Sequence, residues 1–160
     1  MEIRSLTRVD INSMWEINEQ GLPGTGKVSP EEISNLLDIS ELSLGVYEGQ
    51  KLLGFVLCLM PKTNYGSLNY AWFNERYDEF IYVDRIAVRT NSRDRGVGSL
   101  LYREVINYSE KHGVMITAEV SLKPLNEGSM RFHYRFGFRD VGILEHASKS
   151  VTLMIRENRI

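Results

Sequence analysis

A short glycine- and arginine-rich segment carries the strongest chemical signal in this sequence. Residues 93–98 read Arg-Asp-Arg-Gly-Val-Gly and lie between the apolar run 80–88 and a stretch in which apolar residues recur at helical spacing. Glycine lets a backbone approach a ligand closely, and the amides at a helix N-terminus attract anions. The segment is therefore predicted to bind a phosphate group, although an ordinary strand-to-helix turn can carry the same short motif.

Two carboxylic acids inside predicted strands are candidate general bases. Asp84 interrupts the apolar run 80–88 next to Arg85, and Glu119 alternates with apolar residues in a later strand. Partial burial raises the pKa of a carboxylate, which can then accept a substrate proton near neutral pH. For Asp84 we favour the alternative, an ion pair with an arginine such as Arg85.

Hydrophobic periodicity and breaker residues place these segments in a β-α-α-β-β-β-α-β-α-β-β order. Strands are predicted at residues 3–6, 42–47, 52–60, 80–88, 114–122, 138–144 and 150–155. Helices are predicted after Thr7, from Ser29 to about residue 39, over residues 97–111, and from Asn126 to residue 136. Residues 62–77 are predicted to be a long aromatic and polar connection, and loops of that length are more often functional than accidental.

The composition excludes several classes of protein. A chain of 160 residues has the length of one domain, and 19 basic against 21 acidic residues give a net charge of −2. This balance argues against a nucleic-acid or anionic-membrane partner. The lone Cys58 and an N-terminus without an apolar signal segment indicate a cytoplasmic protein.

Metal and nucleotide chemistry are also disfavoured by the residue spacing. His112, His133 and His146 are widely separated and lack a matching carboxylate pattern, so no metal site is predicted. Residues 21–27 satisfy most of a P-loop pattern, but Val28 stands where that motif needs Ser or Thr for magnesium.

The predicted phosphate loop and its flanks resemble the GNAT acetyltransferase superfamily. The coenzyme loop of that family reads Arg/Gln-x-x-Gly-x-Gly/Ala after a strand ending in an apolar-x-Val step, and here the step is Ile86-Ala87-Val88. The family also shows Asn-x-x-Ala/Ser-x-x-Phe-Tyr followed by Gly-Phe. The corresponding residues here are Asn126, Ser129, Phe132, His133, Gly137 and Phe138. Residues 69–85 further resemble one bacterial branch of GNAT proteins.

This resemblance implies an α/β (α+β) fold, with one domain over residues 1–160. A mixed, mostly antiparallel sheet of six to seven strands would be flanked by about four helices. It also implies an N-acetyltransferase that moves an acetyl group from acetyl-CoA directly to a primary amine of a small molecule or peptide. The implied coenzyme-binding residues are Ile86, Ala87, Val88, Arg93, Asp94, Arg95, Gly96, Val97, Gly98, Ser99, Asn126 and Ser129.

The general acid is left open by the sequence. Many GNAT relatives carry a tyrosine that protonates the leaving thiolate, and His133 stands at that position with Tyr134 beside it. An imidazolium with a pKa of ~6.5 is a stronger acid than a phenol with a pKa of ~10. The alternative is that His133 only packs on its helix and that Tyr134 faces water.

Two rival functions follow from the same residues. One is an acyl-CoA sensor that binds the coenzyme without turnover, and the other is an interaction domain that binds no coenzyme. Because many GNAT proteins dimerise, the resemblance also leads us to expect a homodimer. Direct transfer needs no covalent enzyme intermediate, so Cys58 is predicted to be a buried structural thiol.

Overall fold

The seven strands of the computed structural model form one mixed sheet. The structure describes residues 1–158, so the predicted domain end at residue 160 lies outside the described residues. The strand order is β1-β2-β3-β4-β5-β7-β6. The strands are β1 (Glu2–Ser5), β2 (Leu42–Glu48), β3 (Lys51–Leu59), β4 (Phe80–Val88), β5 (Met115–Lys123), β6 (Arg139–His146) and β7 (Lys149–Arg156).

Five α-helices and two short 3-10 turns connect these strands. The helices are α1 (Ile11–Gln20), α2 (Pro30–Ile39), α3 (Leu68–Arg76), α4 (Val97–His112) and α5 (Glu127–Arg135). The 3-10 turns are Arg8–Asp10 and Thr90–Ser92. All neighbouring strands pair antiparallel except β4 and β5, which are parallel. The predicted mixed and mostly antiparallel sheet is confirmed, with one helix more than expected.

The additional helix is α3, which replaces most of the connection predicted over residues 62–77. Ser67 begins it, since its Oγ accepts a hydrogen bond from the amide of Tyr70 at 3.2 Å. Only Tyr70 and Phe73 of this helix are buried. The prediction of a loop was wrong because two buried aromatic residues among polar neighbours do not form the wide apolar stripe by which a surface helix is recognised.

Local capping explains the ends of the other helices. Ser29 and Glu32 form a reciprocal capping box at the start of α2, with Pro30 in its first turn. Gly113 ends α4 in the left-handed conformation at a φ of 66°. No helix among residues 1–158 has both the length and the apolarity that crossing a membrane requires.

Helices cover both faces of the sheet. On one face, Leu101 and Val105 of α4 pack against strand residues that include Ile81. Tyr82, the next residue of β4, points to the opposite face and packs with Phe73 of α3. α1 and α2 cover β2 and β3 on that second face. The two faces of the sheet are therefore covered by different helices.

Strands β4 and β5 pair over only a short distance. The partners are Phe80 with Met115, Ile81 with Ile116 and Tyr82 with Thr117. Beyond them, β4 continues to pair with β3, and β5 continues to pair with β7. The sheet therefore opens between the C-terminal halves of the two parallel strands, and we call this opening the β4–β5 cleft.

A β-bulge lies where the cleft begins. In the β3–β4 ladder, Val83 is opposite Cys58, whereas Arg85 is opposite Leu57. Asp84 is therefore the extra residue of the bulge. Bulges redirect side chains and end regular pairing, and they are common beside active sites.

Candidate active site

A tight backbone loop joins β4 to α4 at the end of the β4–β5 cleft. After the 3-10 turn Thr90–Ser92, the chain passes through two positions with positive φ, Asp94 at 63° and Gly96 at 82°. Gly96 is the N-cap residue of α4, and no side chain among residues 1–158 caps this end. Because the first amides of a helix lack intrahelical partners, they are available to an anion.

The two glycines of this loop have different surroundings. A Cβ built on Gly96 would meet no described atom within 4 Å, and the positive φ favours glycine there. A Cβ built on Gly98 would lie 3.2 Å from Cζ of Phe132 in α5. Gly96 therefore provides the left-handed turn and an open approach, whereas Gly98 allows α4 to come close to α5.

Two of the three arginines near the loop are engaged elsewhere. Arg89 donates from Nε to the carbonyl oxygen of Leu52 at 2.9 Å. Arg95 donates from Nη2 to Oε2 of Glu48 at 2.7 Å. Arg93 is exposed and forms no side-chain hydrogen bond or ion pair within residues 1–158. Of these three guanidinium groups, that of Arg93 is therefore the one with no hydrogen bond or ion pair within residues 1–158.

The predicted coenzyme residues Asn126 and Ser129 make structural contacts at the start of α5. Asn126 Oδ1 accepts from the amide of Ser129 at 3.1 Å and caps the helix. Asn126 Nδ2 also lies 2.8 Å from the position that a Cβ on Gly24 would occupy. Asn126 thus brings the start of α5 against the segment 21–27.

Glu119 lies in β5 on the face of the sheet covered by α3. The Tyr82 hydroxyl donates to Glu119 Oε1 at 2.7 Å and lies 2.9 Å from Oε2. Asn69 of α3 donates from Nδ2 to Oε1 at 3.2 Å. Three elements, α3, β4 and β5, therefore meet at this carboxylate.

The surroundings of Glu119 change its acidity. Burial raises its pKa to about 8, and the negative charge of Asp84 adds to the rise. The hydrogen bonds from Tyr82 and Asn69 and the charge of Arg85 act in the opposite direction, since they stabilise the ionised form. A pKa near the working pH suits a general base.

Asp84 is paired with its neighbour, as the sequence favoured. Arg85 Nε donates to Asp84 Oδ2 at 2.7 Å, and the side chains of Arg85 and Asp84 are 8% and 4% exposed. The negative charge of Asp84 opposes ionisation of Glu119.

Arg85 also connects the site to the segment 21–27. Its Nη1 donates to Asn18 Oδ1 at 2.9 Å and to the carbonyl oxygen of Gly26 at 3.1 Å. Asn18 Nδ2 donates to the same Gly26 oxygen at 3.0 Å. The segment 21–27 is thus hydrogen-bonded to the buried Asp84–Arg85 pair.

His133 lies in the core between α4 and α5, with 3% of its surface exposed. Nδ1 lies 2.7 Å from the carbonyl oxygen of Ser129, and Nε2 lies 2.5 Å from the hydroxyl of Tyr102. Since a carbonyl oxygen can only accept, Nδ1 carries the proton and Nε2 accepts from Tyr102. Burial lowers the pKa of His133 to about 4.

Tyr134 faces the solvent on the other side of α5, with 47% of its surface exposed. Its hydroxyl donates to Asp140 Oδ1 at 2.9 Å, and this bond raises the pKa of Tyr134.

Cys58 is buried in β3 as predicted, and burial raises the pKa of its thiol. Residues 1–158 hold no cluster of three or more His, Cys, Asp or Glu side chains suited to a metal ion.

Comparison with known protein families identifies the family of this chain. The acetyltransferase (GNAT) family matches residues 11–138, which run from the start of α1 to the residue before β6. The chain belongs to the GNAT family. The resemblance inferred from residues 93–98 and from residues 126–138 is thereby confirmed, and the protein is an acyl-CoA-dependent acetyltransferase with acetyl-CoA as its co-substrate.

Individual relatives of this GNAT protein are distant. The chain is 23% identical to the probable N-acetyltransferase san of Drosophila melanogaster over 94% of this chain and 74% of that protein. Its fold is similar to the ribosomal-protein-S18-alanine N-acetyltransferase of Escherichia coli, with a TM-score of 0.73, 17% identity, and 97% and 92% of the two chains covered. It is also similar to Arabidopsis thaliana NAA60 in complex with acetyl-CoA, with a TM-score of 0.74, 20% identity, and 98% and 99% coverage.

The loop at the start of α4 fits the pyrophosphate of acetyl-CoA. Gly96 leaves open space beside uncapped helix amides, and the Arg93 guanidinium is exposed next to them. These features supply hydrogen-bond donors and positive charge without a side chain that would block an anion.

Residues of this GNAT protein that the sequence did not single out are Asn69 and Tyr82 at Glu119, and Tyr102 at His133.

At the family's acid position, the folded protein carries a neutral His133 ring, and the ordinary pKa of ~6.5 does not apply there. With a pKa of about 4, His133 is neutral at neutral pH and has both ring nitrogens engaged. The sequence suggested an ordinary pKa because it did not show that Phe132, Phe138 and Tyr102 surround the ring. The geometry matches the alternative, in which His133 packs on its helix and Tyr134 faces water.

Replacing His133 with Phe should lower stability rather than change the pH dependence of catalysis. The substitution leaves the buried Tyr102 hydroxyl unpaired, which costs about 1–3 kcal/mol. The folded-state pKa of His133 is depressed from 6.5 to about 4, so wild-type stability is lost as pH falls between these values. The variant lacks this titration, and chemical denaturation at pH 7 and pH 4.5 should show the stability difference shrinking at the lower pH. Loss of an activity limb near pH 6.5 in the variant would instead restore His133 as the acid.

Proposed function

We propose that this acetyltransferase moves the acetyl group of acetyl-CoA directly to a primary amine, with Glu119 as the general base. The observation that carries the proposal is the Glu119 carboxylate, held by Tyr82 and Asn69 beside the β4–β5 cleft with its pKa raised to about 8. An amine nucleophile must be neutral to attack. A carboxylate with this pKa can accept the amine proton near neutral pH.

The proposed proton and bond changes balance without an enzyme-bound intermediate. The amine nitrogen forms a bond to the carbonyl carbon of the thioester and loses one proton to Glu119. The carbon–sulfur bond breaks, the departing thiolate takes a proton from water, and Glu119 returns its proton to the hydroxide that remains. Because a thiolate can leave without prior protonation, we propose that the step does not require His133 or Tyr134 as an acid.

The coenzyme is proposed to lie along the β4–β5 cleft. The amides of residues 93–99 would hold the pyrophosphate, with the Arg93 guanidinium beside it. Backbone groups of Ile86 and Val88 would pair with the pantetheine arm, since β4 has no strand partner on the cleft side beyond Tyr82 within the described residues. This placement directs the thioester towards Glu119 at the narrow end of the cleft.

The acceptor is proposed to enter on the face covered by α1 and α3. Residues 21–27 and the start of α3 flank the polar cluster on this face. Both a small-molecule amine and a peptide N-terminus satisfy the chemistry, and the relative from Escherichia coli is described as an alanine N-acetyltransferase of a ribosomal protein. A cytoplasmic location, one catalytic domain and a homodimer stay predictions from the sequence.

Release of free coenzyme A thiol should depend on a primary amine. The assay supplies acetyl-CoA with alanine amide, putrescine, 2-phenylethylamine, kanamycin or a tripeptide with a free N-terminus, and mass spectrometry identifies the N-acetyl product. We expect turnover with at least one acceptor. Tight binding of coenzyme A without turnover of any amine would instead favour the acyl-CoA sensor, and absence of coenzyme binding would favour the interaction domain.

A further inference from the structure

Asn69 presents a buried polar atom that nothing in the described structure satisfies. Its Nδ2 donates to Glu119 Oε1 at 3.2 Å. When Glu119 is ionised its carboxylate only accepts, so the amide nitrogen faces Glu119 and the amide oxygen makes no hydrogen bond to it. Within residues 1–158, this Asn69 Oδ1 is buried and has no hydrogen-bond partner. Such an atom is costly and calls for an explanation.

The position of Asn69 is set by the helix around it rather than by Glu119. Ser67 caps α3 through the amide of Tyr70 at 3.2 Å. The Tyr70 hydroxyl donates to the carbonyl oxygen of Met60 and accepts from the amide of Thr63 at 2.8 Å. These contacts anchor both the start of α3 and the residue that follows Asn69. The unpaired oxygen is therefore held in place next to the proposed base.

We propose that Asn69 Oδ1 binds the acceptor amine and thereby selects primary over secondary amines. The inference rests on the proposed function. A neutral primary amine has two N–H groups and one lone pair. One N–H is directed to Glu119 and the other to Asn69 Oδ1, which leaves the lone pair for the thioester carbonyl.

A secondary amine cannot make the same set of contacts. It has one N–H group, which Glu119 requires, so the Asn69 oxygen stays unpaired when the second substituent occupies its side. Because Asn69 Nδ2 lies 3.2 Å from Glu119 Oε1, the two side chains are neighbours, and we expect one amine nitrogen to reach both groups. No proton moves to Asn69, and its contribution is orientation and selection.

The test compares the best acceptor of the amine panel with its N-methyl derivative, for example 2-phenylethylamine with N-methyl-2-phenylethylamine. We expect Asn69→Ala to lower the ratio of kcat/KM for the primary amine to that for the secondary amine about tenfold or more. A change at Glu119 itself affects both amines equally and cancels in this ratio. A purely structural role for Asn69 therefore predicts an unchanged ratio.

Two further variants separate selection from support of the base. Asn69→Asp retains an oxygen acceptor for the amine, so the ratio should stay high, while a second carboxylate beside Glu119 should move the activity limb to higher pH. Asn74→Ala is the matched control, because Asn74 is also in α3 but its Oδ1 accepts from the amide of Lys62 at 2.9 Å. It should retain both the wild-type ratio and the wild-type pH profile.

The outcomes distinguish the inference from the function on which it rests. If wild-type protein acetylates primary amines and Asn69→Ala keeps the wild-type ratio, the role of Asn69 is overturned and the proposed function stands. If wild-type protein acetylates no primary amine of the panel, both fall. If Asn74→Ala lowers the ratio as strongly as Asn69→Ala, disturbance of α3 explains the effect and the inference is rejected.

Discussion

Replacing Glu119 with Gln should lower kcat for amine acetylation by about 10²- to 10⁴-fold, the usual contribution of a general base. Gln keeps the size of the side chain and an oxygen for the Tyr82 hydroxyl, but it cannot accept a proton. In the wild-type protein, kcat should rise with pH and level off above about 8, because Glu119 must be ionised to act and its pKa is raised to that value. In the variant, kcat should not show this rise when rates are measured from pH 6 to pH 9.

The same substitution should increase stability at alkaline pH. The folded-state pKa of Glu119 is raised from 4.5 to about 8, so wild-type stability is lost as pH rises between these values. Gln does not titrate, and denaturation curves should therefore show the variant gaining stability relative to wild type from pH 5 to pH 8. A lower activity combined with a higher stability is what a functional rather than a structural carboxylate predicts.

Glu145→Gln is the matched control for both measurements. Glu145 lies in β6, is exposed, and shares neither the Tyr82 nor the Asn69 hydrogen bond. We expect wild-type kcat and the wild-type pH profile from this variant. Wild-type activity of Glu119→Gln at pH 8 would contradict the assignment of the base.

The second large effect is expected at the loop that we propose to bind the pyrophosphate. Gly96→Glu should weaken coenzyme A binding at least tenfold, because it adds bulk and negative charge where the anion approaches the amides of α4. Space alone does not oppose the substitution, since a Cβ at Gly96 meets no described atom within 4 Å. The positive φ of 82° adds backbone strain of about 1–3 kcal/mol, which the control must match. Calorimetric titration with coenzyme A gives the affinity.

Gly113→Glu provides that match at the opposite end of the same helix. Gly113 has a φ of 66° and an equally open position for a Cβ. Both variants should lose stability, but only Gly96→Glu should lose affinity for coenzyme A. Equal affinity of the two variants would show that the pyrophosphate does not approach Gly96.

Much of the fold could be predicted from local patterns. The alternation in β5, the apolar β4 and the spacing of Leu101 and Val105 in α4 each report burial against a neighbour. The loop 93–98 was predictable for a similar reason, because glycine is favoured where the chain turns with a positive φ, as at Gly96. Helix α3 was missed, since Tyr70 and Phe73 bury only part of one face and the remainder reads as a polar connection.

The chemistry of the site depended on contacts between distant segments. The sequence by itself determined the family, the anion loop and the presence of carboxylates at residues 84 and 119. Only the tertiary structure showed their surroundings: it buries the Asp84–Arg85 pair, surrounds His133 with aromatic rings, and places Asn69 beside Glu119. The physical reason is that desolvation and neighbouring charges set a pKa, and neither is encoded in the identity of the residue that titrates. A histidine at the family's acid position is therefore a neutral core residue, while Glu119 is the proposed base.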